Sequence, residues 1–356
     1  MASTRVLRFD DPSACEVAFP SVDLALFPTA AGNFHADITQ VGMNGIWVHR
    51  IHISLPEINT VAVKAGRRSI GFLTECNSAS LMDCGQDVRP GDIVINRSDV
   101  VHQRSDADFH YGTVSLSSDR LAAAAEAIIG CDLPNVLHKS TVRPPSALML
   151  RLMSLHKSIG QLAEDAPDIL HLQEVSRALE NEITHIVVRC LAEGHFLAPT
   201  AGGRRHDVIL TRFLEFLEAN PDRPVYLTEI CAAIGAAERT LRASCEEHLG
   251  MGPIRYLTLR RMHLVRRALQ RSNASKITVT QIATEYGFWE LGRFAVAYRA
   301  FFGESPSDTL RQPTYRAVPQ TSGLRRLAWR THKSAPPLAA GRGPALGQLR
   351  GISRFS

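Results

Sequence analysis

Ile230-Cys231-Ala232-Ala233-Ile234-Gly235 returns 52 residues later as Ile282-Ala283-Thr284-Glu285-Tyr286-Gly287. One insertion later the offset is 53: Leu241 matches Phe294, Cys245 matches Tyr298, Leu249-Gly250 matches Phe302-Gly303 and Pro253 matches Pro306. Both copies share one grammar of short helix, glycine, second helix, glycine and proline. Gly235 and Gly287 suit the tight inter-helix turn, and Gly250 and Gly303 suit the end of the second helix, where a residue free to take φ > 0 stops the chain. Thr278, with Gln281 three positions on, fits a capping box. The pattern predicts second helices from about Glu238 to Leu249 and from about Glu290 to Phe302. Leu241, Cys245 and Leu249 then face inward, as do Phe294, Tyr298 and Phe302. Between the copies, Pro253 opens a long helix with Leu257, Leu264, Val265, Ala268 and Leu269 on its apolar side. Arg255, Arg260, Arg266, Arg267 and Arg271 decorate the rest, as a solvated face or as phosphate ligands.

Working outward, the 356 residues divide by charge. Residues 1–203 hold 16 Lys and Arg against 23 Asp and Glu, residues 204–311 hold 16 against 12, and residues 312–356 hold 8 against none. An acidic front joined to a basic back points to a polyanion at the back end. Residues 34–116 read as short strands: Ile46–Ser54 alternates with a period near two, and Val61–Val63, Ser69–Leu73 and Asp92–Ile95 follow, with turn signals at Ala65-Gly66, Asp83-Cys84-Gly85 and Arg89-Pro90-Gly91-Asp92. Such spacing predicts a sandwich or barrel. Helices are expected over 119–129, 146–159 and 168–191, the last an amphipathic helix that serves as a dimer seam or packs on its own sandwich. Residues 199–205 read as a linker. The expected organisation is a β-rich domain at 1–120, a helical dimerisation or linker region at 121–203, a double helix-turn-helix domain at 204–311 and a basic, disordered tail at 312–356.

Some classes are excluded. No run of about 18 apolar residues exists, so no membrane span is expected. The first residues carry Asp10 and Asp11 and lack an apolar core, so no secretory signal is read. Seven cysteines without a C-x-x-C pair argue against a disulfide framework or zinc site and for the cytoplasm. Cys76 and Cys84 read as buried thiols rather than a redox pair. His49, His52, His102 and His110 invite a metal reading, but the H-x-x-H spacing puts His49 and His52 on opposite faces of a strand, so no metal site and no cofactor is expected.

Ile282-Ala283-x-x-Tyr286-Gly287-Phe288, followed by Phe294-x-x-x-Tyr298-Arg299-x-x-Phe302-Gly303-x-Ser305-Pro306, resembles the C-terminal signature of AraC/XylS-type transcription regulators. Gly235-x-x-Glu238-Arg239-Thr240-Leu241 with Leu249-Gly250-Met251-x-Pro253 is similar to the upstream unit of that family. The resemblance covers about 100 residues. It implies two helix-turn-helix units behind a variable sensing or dimerising domain, and an α+β chain whose front is cupin-like, a reading that leans on Arg89-Pro90-Gly91-Asp92. The chain departs from the pattern at Ala237, where a capping serine is usual, and at Ala243, where an arginine is common. Positions matching the base-facing set are Arg239, Arg242 and Ala243 in unit one and Leu291, Gly292, Arg293 and Val296 in unit two. Unit one is then expected to read bases and unit two to hold phosphate and shape, with Arg293 and Arg255 as further DNA contacts. Trp289 reads as a wedge in its own unit, with the DNA backbone as the alternative.

The expected function is a sequence-specific DNA-binding transcription regulator, an activator and no enzyme, acting on double-stranded DNA with RNA polymerase as partner. A small-molecule effector and a homodimer complete the expectation. Two alternatives stand beside it: a metal-dependent cupin-type enzyme fused to a helix-turn-helix module, and a constitutive DNA-binding protein without effector.

Overall fold

A computed structural model describes residues 3–19, 21–75, 80–96, 100–130, 133, 140–197, 201–220 and 223–312. The tail read at 312–356 lies outside these residues apart from Gln312, as does Cys76. In chain order the front half runs β1 (Ser3–Phe9), α1 (Pro12–Glu16), β2 (Val22–Pro28), β3 (Ala36–Met43), β4 (Ile46–Ile53), β5 (Glu57–Val63), β6 (Arg67–Leu73), β7 (Leu81–Asp83), β8 (Gln86–Val88), β9 (Ile93–Asn96), β10 (Val100–Ser105) and β11 (Phe109–Ser117). Then come α2 (Ser118–Ile129), β12 (Ser140–Arg143), α3 (Ser146–Asp165), α4 (Pro167–His171), α5 (Gln173–Glu193) and β13 (His195–Leu197). The back half is helical: α6 (Ala201–Ala219), α7 (Leu227–Ile234), α8 (Glu238–Leu249), α9 (Pro253–Arg271), α10 (Val279–Glu285), α11 (Leu291–Phe302) and α12 (Pro306–Arg311).

The strands form two antiparallel sheets, ordered β1-β3-β4-β11-β6-β9-β12-β13 and β2-β5-β10-β7-β8. Alternation along β4 explains the layering. Ile46 and Val48 face α2, α3 and α5 in one buried cluster, whereas His49, Ile51 and Ile53 line a cavity between the sheets. The apolar side of α5 (Ile183, Ile186, Val187, Cys190, Leu191) is buried in the same cluster, so this helix spends its stripe on its own sheet.

Several elements depart from the sequence reading. Strands β1, β2, β12 and β13 lie outside 34–116, because the period-two signal in these short segments is diluted by neighbouring charges and prolines. The helix expected over 168–191 breaks at Leu172, which is extended (φ −66°, ψ 125°) and exposed. The linker expected at 199–205 is helical from Ala201 onward: α6 carries Ile209, Leu210, Phe213, Leu214 and Leu217 into the core of the first helix pair, and burying that stripe stabilises the helix. The Arg89–Asp92 motif is a structural clamp. Asp92 is buried, accepts from the Arg89 backbone N–H at 3.0 Å and takes two guanidinium bonds from Arg143 at 2.7 and 3.0 Å, tying β12 to β9.

Candidate nucleic-acid interface

In the first helix pair, Gly235 ends α7 at φ 66° and Gly250 ends α8 at φ 68°, both left-handed positions where a side chain is strained. Leu241 and Cys245 are fully buried and Leu249 nearly so, and burial pushes the Cys245 thiol up to about 12. The opposite side of α8 exposes Arg239 and Arg242, three apart and so on one face. Arg242 pairs with Glu238 at 3.1 Å, a solvent-screened contact that an incoming phosphate or base can exchange. Ala237 starts α8 without a side-chain cap; the Thr240 N–H donates to Ala237 O at 3.0 Å, and the Glu238 and Arg239 N–H groups stand at the tip of the helix.

The second pair follows the same plan. Thr278 and Gln281 form the capping box of α10, Gly287 takes φ 79° and Gly303 ends α11 at φ 76°. Phe294 and Tyr298 are buried, Phe302 is half-buried, and the Tyr298 hydroxyl lies 2.9 Å from Thr309 Oγ1. The outer face of α11 differs in kind. It shows Gly292, Arg293, Ala295, Val296, Ala297 and Arg299, with Val296 73% exposed and Arg293 paired to Glu290 at 2.7 Å. Trp289 is not a core wedge: it is 70% exposed, and Phe288, tilted against Phe294 with centroids 4.8 Å apart, packs into the unit in its place.

The connector α9 corrects the sequence reading most. Its buried face carries Tyr256, Leu259, Met262, Val265 and Leu269, with Leu257, Leu264 and Ala268 only half-buried. Arg255 and Arg271 are exposed as expected. Arg260 is buried and donates to Leu217 O at 3.2 Å and to Glu218. Arg261 sits over the Phe288 ring and donates to Gly287 O. Arg266 and Arg267 reach the front domain. Arg266 bridges Asp11 at 3.1 Å and Glu304 at 3.3 Å, while Arg267 pairs with Glu16, donates to Leu26 O at 3.2 Å and lies over the Phe27 ring. Neither a solvated face nor a phosphate ligand describes these two, since their acids are Asp11 and Glu16 at α1 and, for Arg266, also Glu304.

His263 belongs to the same docking face. Its Nε2–H donates to Pro28 O at 2.9 Å, and burial holds the imidazole down at about 3, so it stays neutral. The far end of α8 docks as well: it packs against β10, with His248 buried beside Gly85. A Cβ on Gly85, itself at φ 77°, would lie 2.3 Å from the His248 ring. These contacts were illegible in sequence, because Asp11 and Glu16 carry no motif, the turn at Gly85 names no partner, and all three lie more than 160 positions from the residues they meet.

A helix-turn-helix domain model matches residues 230–312. The activator of the XylDLEGF operon of Pseudomonas putida is 40% identical over 101 residues, a match covering 28% of this chain and 32% of that protein. The HTH-type transcriptional activator RhaS of Pectobacterium carotovorum subsp. carotovorum (strain PC1) is 30% identical over 165 residues, 45% of this chain and 55% of that one. The crystal structure of the AraC-like transcriptional activator CuxR aligns over 80% of this chain and all of its own at 16% identity and a TM-score of 0.40. The chain thus spans about a third of the first of these relatives and about half of the second. Residues 230–312 are accordingly a helix-turn-helix domain of the AraC/XylS type.

Proposed function

We propose that the chain is a sequence-specific DNA-binding transcription regulator, an activator, whose first helix pair reads bases. The observation that carries this is the two-sidedness of α8: Leu241, Cys245 and Leu249 are buried, and Arg239 and Arg242 stand exposed on the other side. Arginine offers two parallel donors that match O6 and N7 of guanine in the major groove. Two such pairs on a rigid connector suit successive major-groove segments of double-stranded DNA, roughly 34 Å apart on one face. Arg293 and Arg255 hold phosphate in this reading, and the open apolar surface of α11 follows the groove by shape.

The front half acts as the sensor. Its two facing sheets support a cupin-like description, and the cavity between them is the place for a small-molecule effector. His49 Nε2, Glu57 Oε2, Asn59 Oδ1 and Asn96 Oδ1 are buried on residues lining that cavity and have no hydrogen-bond partner among the described residues. Buried polar atoms left unpaired cost stability, so they favour a polar ligand that pairs them. Burial pushes the Glu57 carboxyl up to about 7, so a ligand that donates to it can meet either charge state. Leu24 and Leu26 of β2 also line the cavity, and the Leu26 N–H donates to Glu16 at 2.7 Å, one step from Arg267 and α9. A homodimer through the helical region, with Leu150 of α3, Ile169 of α4 and Leu172 just after it exposed, and RNA polymerase as downstream partner complete the reading. The chain acts in the cytoplasm and catalyses no reaction. No helix among the described residues is long and apolar enough to cross a membrane.

Binding-site selection with the full chain tests the core of this. Arg239→Ala and Arg242→Ala should each relax the preference at one base pair, whereas Arg255→Ala should weaken all sequences alike. Full wild-type base preference in both α8 variants would remove α8 from the groove.

A further inference from the structure

On the sheet face turned away from the cavity, one rung of residues crosses three strands. His110 of β11 is register-paired with His52 of β4, which is register-paired with Asp37 of β3. The two imidazoles stack with centroids 4.4 Å apart. Asp108, in the turn that leads into β11, holds the left-handed φ of 58°, and its N–H is fixed to Ser54 O at 3.2 Å. That turn swings its carboxylate across both rings: Oδ1 lies 2.8 Å from His52 Nε2 and 3.5 Å from His110 Nε2. The ligand atoms of His52, Asp108 and His110 all lie within 4.8 Å of one another. The remaining ring nitrogens face carboxylates too, His52 Nδ1 at 3.6 Å from Asp37 and His110 Nδ1 at 3.4 Å from Glu75.

We propose that His52, His110 and Asp108 form a binding site for a divalent transition-metal ion, with Zn²⁺ as the representative. Three features carry this. First, both Nε2 atoms converge on one carboxylate. Donors around a tetrahedral ion with bonds of about 2.0–2.1 Å stand ~3.3 Å apart, between the two separations found here. Second, each Nδ1 faces its own carboxylate, the outer partner that fixes tautomer and ring orientation in metal-binding imidazoles. Third, two imidazoles and one carboxylate favour zinc, nickel or copper over magnesium or calcium, which prefer all-oxygen sites. The imidazoles are about a quarter exposed beside an open cleft lined by Arg8, Arg50 and Glu164, so an ion can enter and water can complete its coordination. H-x-x-H spacing correctly separates His49 from His52. The partner of His52 is the cross-strand His110, 58 positions away in sequence. The site stands independently of the effector cavity and of DNA recognition.

The test titrates the metal-free, thiol-reduced full chain with Zn²⁺ against a chromophoric chelator, and with Co²⁺ to record its visible spectrum. The wild type should take up one ion at micromolar zinc, and the Co²⁺ spectrum should show nitrogen and oxygen ligands without thiolate charge transfer. Asp108→Asn and the double variant His52→Gln/His110→Gln should weaken binding ~10²-fold or more. Asp37→Asn, which touches only the outer partner, should weaken it ~10-fold. His185→Ala, on α5, should leave it unchanged. Absence of uptake at micromolar zinc, or wild-type affinity retained in Asp108→Asn or in the double variant, would overturn the proposal. Should the double variant lose its fold by circular dichroism, the wild-type Co²⁺ spectrum decides alone, since thiolate bands would put the ion on cysteine.

Discussion

The two helix pairs share a grammar and are used differently. The first pair builds its core together with α6 and takes in Ile58 of the front sheet, and the rear of α8 abuts Gly85 and Arg104. The second pair closes its own core from residues 262–310, and α11 leaves Val296 and neighbouring small residues open. So one copy divides its surface between docking and an outer face that carries Arg239 and Arg242, and the other sets Arg293 and Arg299 around an exposed patch of Gly292, Ala295 and Val296. Repetition in sequence sets the helices and their turns. What each copy does is set by residues between the matched positions and by what the front domain presses against it.

The largest effect should come from breaking the docking. Arg267 and Glu16 are both largely buried, and removing one partner of such a pair strands the other. Arg267→Ala should therefore destabilise the chain by about 3–5 kcal/mol, seen as a lowered midpoint in urea unfolding. Arg255→Ala, exposed on the same helix, should stay within about 0.5 kcal/mol. Equal effects would mean that α9 is not anchored to the front domain.

Acid should act on the same seam, through His263, and inside the front half, through His49 and His156. Burial holds His263 at about 3 and His49 at about 3, and His156 at about 4, all below the ordinary 6.5. The unfolded chain thus takes up protons first as pH falls through about 6.5, and stability drains away down to the folded values. The unfolding midpoint should fall steadily from pH 6.5 toward 4, and His263→Gln should flatten part of that slope. A midpoint independent of pH over this window would contradict the buried neutral imidazoles.

The outer faces of the two copies should separate on DNA. Arg242→Ala should cost on the order of 1–3 kcal/mol at the cognate site and relax one base position. Arg293→Ala should lower affinity for all sequences alike and lessen the salt dependence. A competition assay against cognate and scrambled duplexes reads both. If Arg293→Ala changed base preference instead, the roles of the two copies would be exchanged.

Much of the helical half was legible because glycine and proline mark it. Gly235, Gly250, Gly287 and Gly303 all sit at positive φ, and α8 runs from Glu238 to Leu249 as the spacing predicts. The strands of the middle of the front half were legible by alternation. What sequence did not carry was pairing over distance. Arg266 and Arg267 look like any helical arginines until Asp11 and Glu16 are folded beneath them. His52 shows no partner until β11 brings His110 alongside. Trp289 was misplaced for a related reason: a core place is filled by whichever aromatic the turn points inward, and here that is Phe288.

The smallest effect concerns how the first-turn N–H groups are met. In unit two, Thr278 accepts from the Gln281 N–H at 3.2 Å and Gln281 accepts from the Thr278 N–H at 2.9 Å, so two orphan donors are satisfied. In unit one, α8 starts at Ala237, whose backbone is already extended (φ −66°, ψ 148°) as a cap requires but which has no oxygen to offer. Thr278→Ala should then cost about 1 kcal/mol, and Ala237→Ser should gain a similar amount, because the backbone needs no change to use the new hydroxyl. The gain bears on function. First-turn N–H groups near a DNA backbone are ready donors to phosphate, and a serine that occupies them competes with that contact. Ala237→Ser should thus raise the unfolding midpoint slightly while leaving cognate binding the same or a little weaker. A variant that gained both stability and affinity would show that those N–H groups do not meet phosphate.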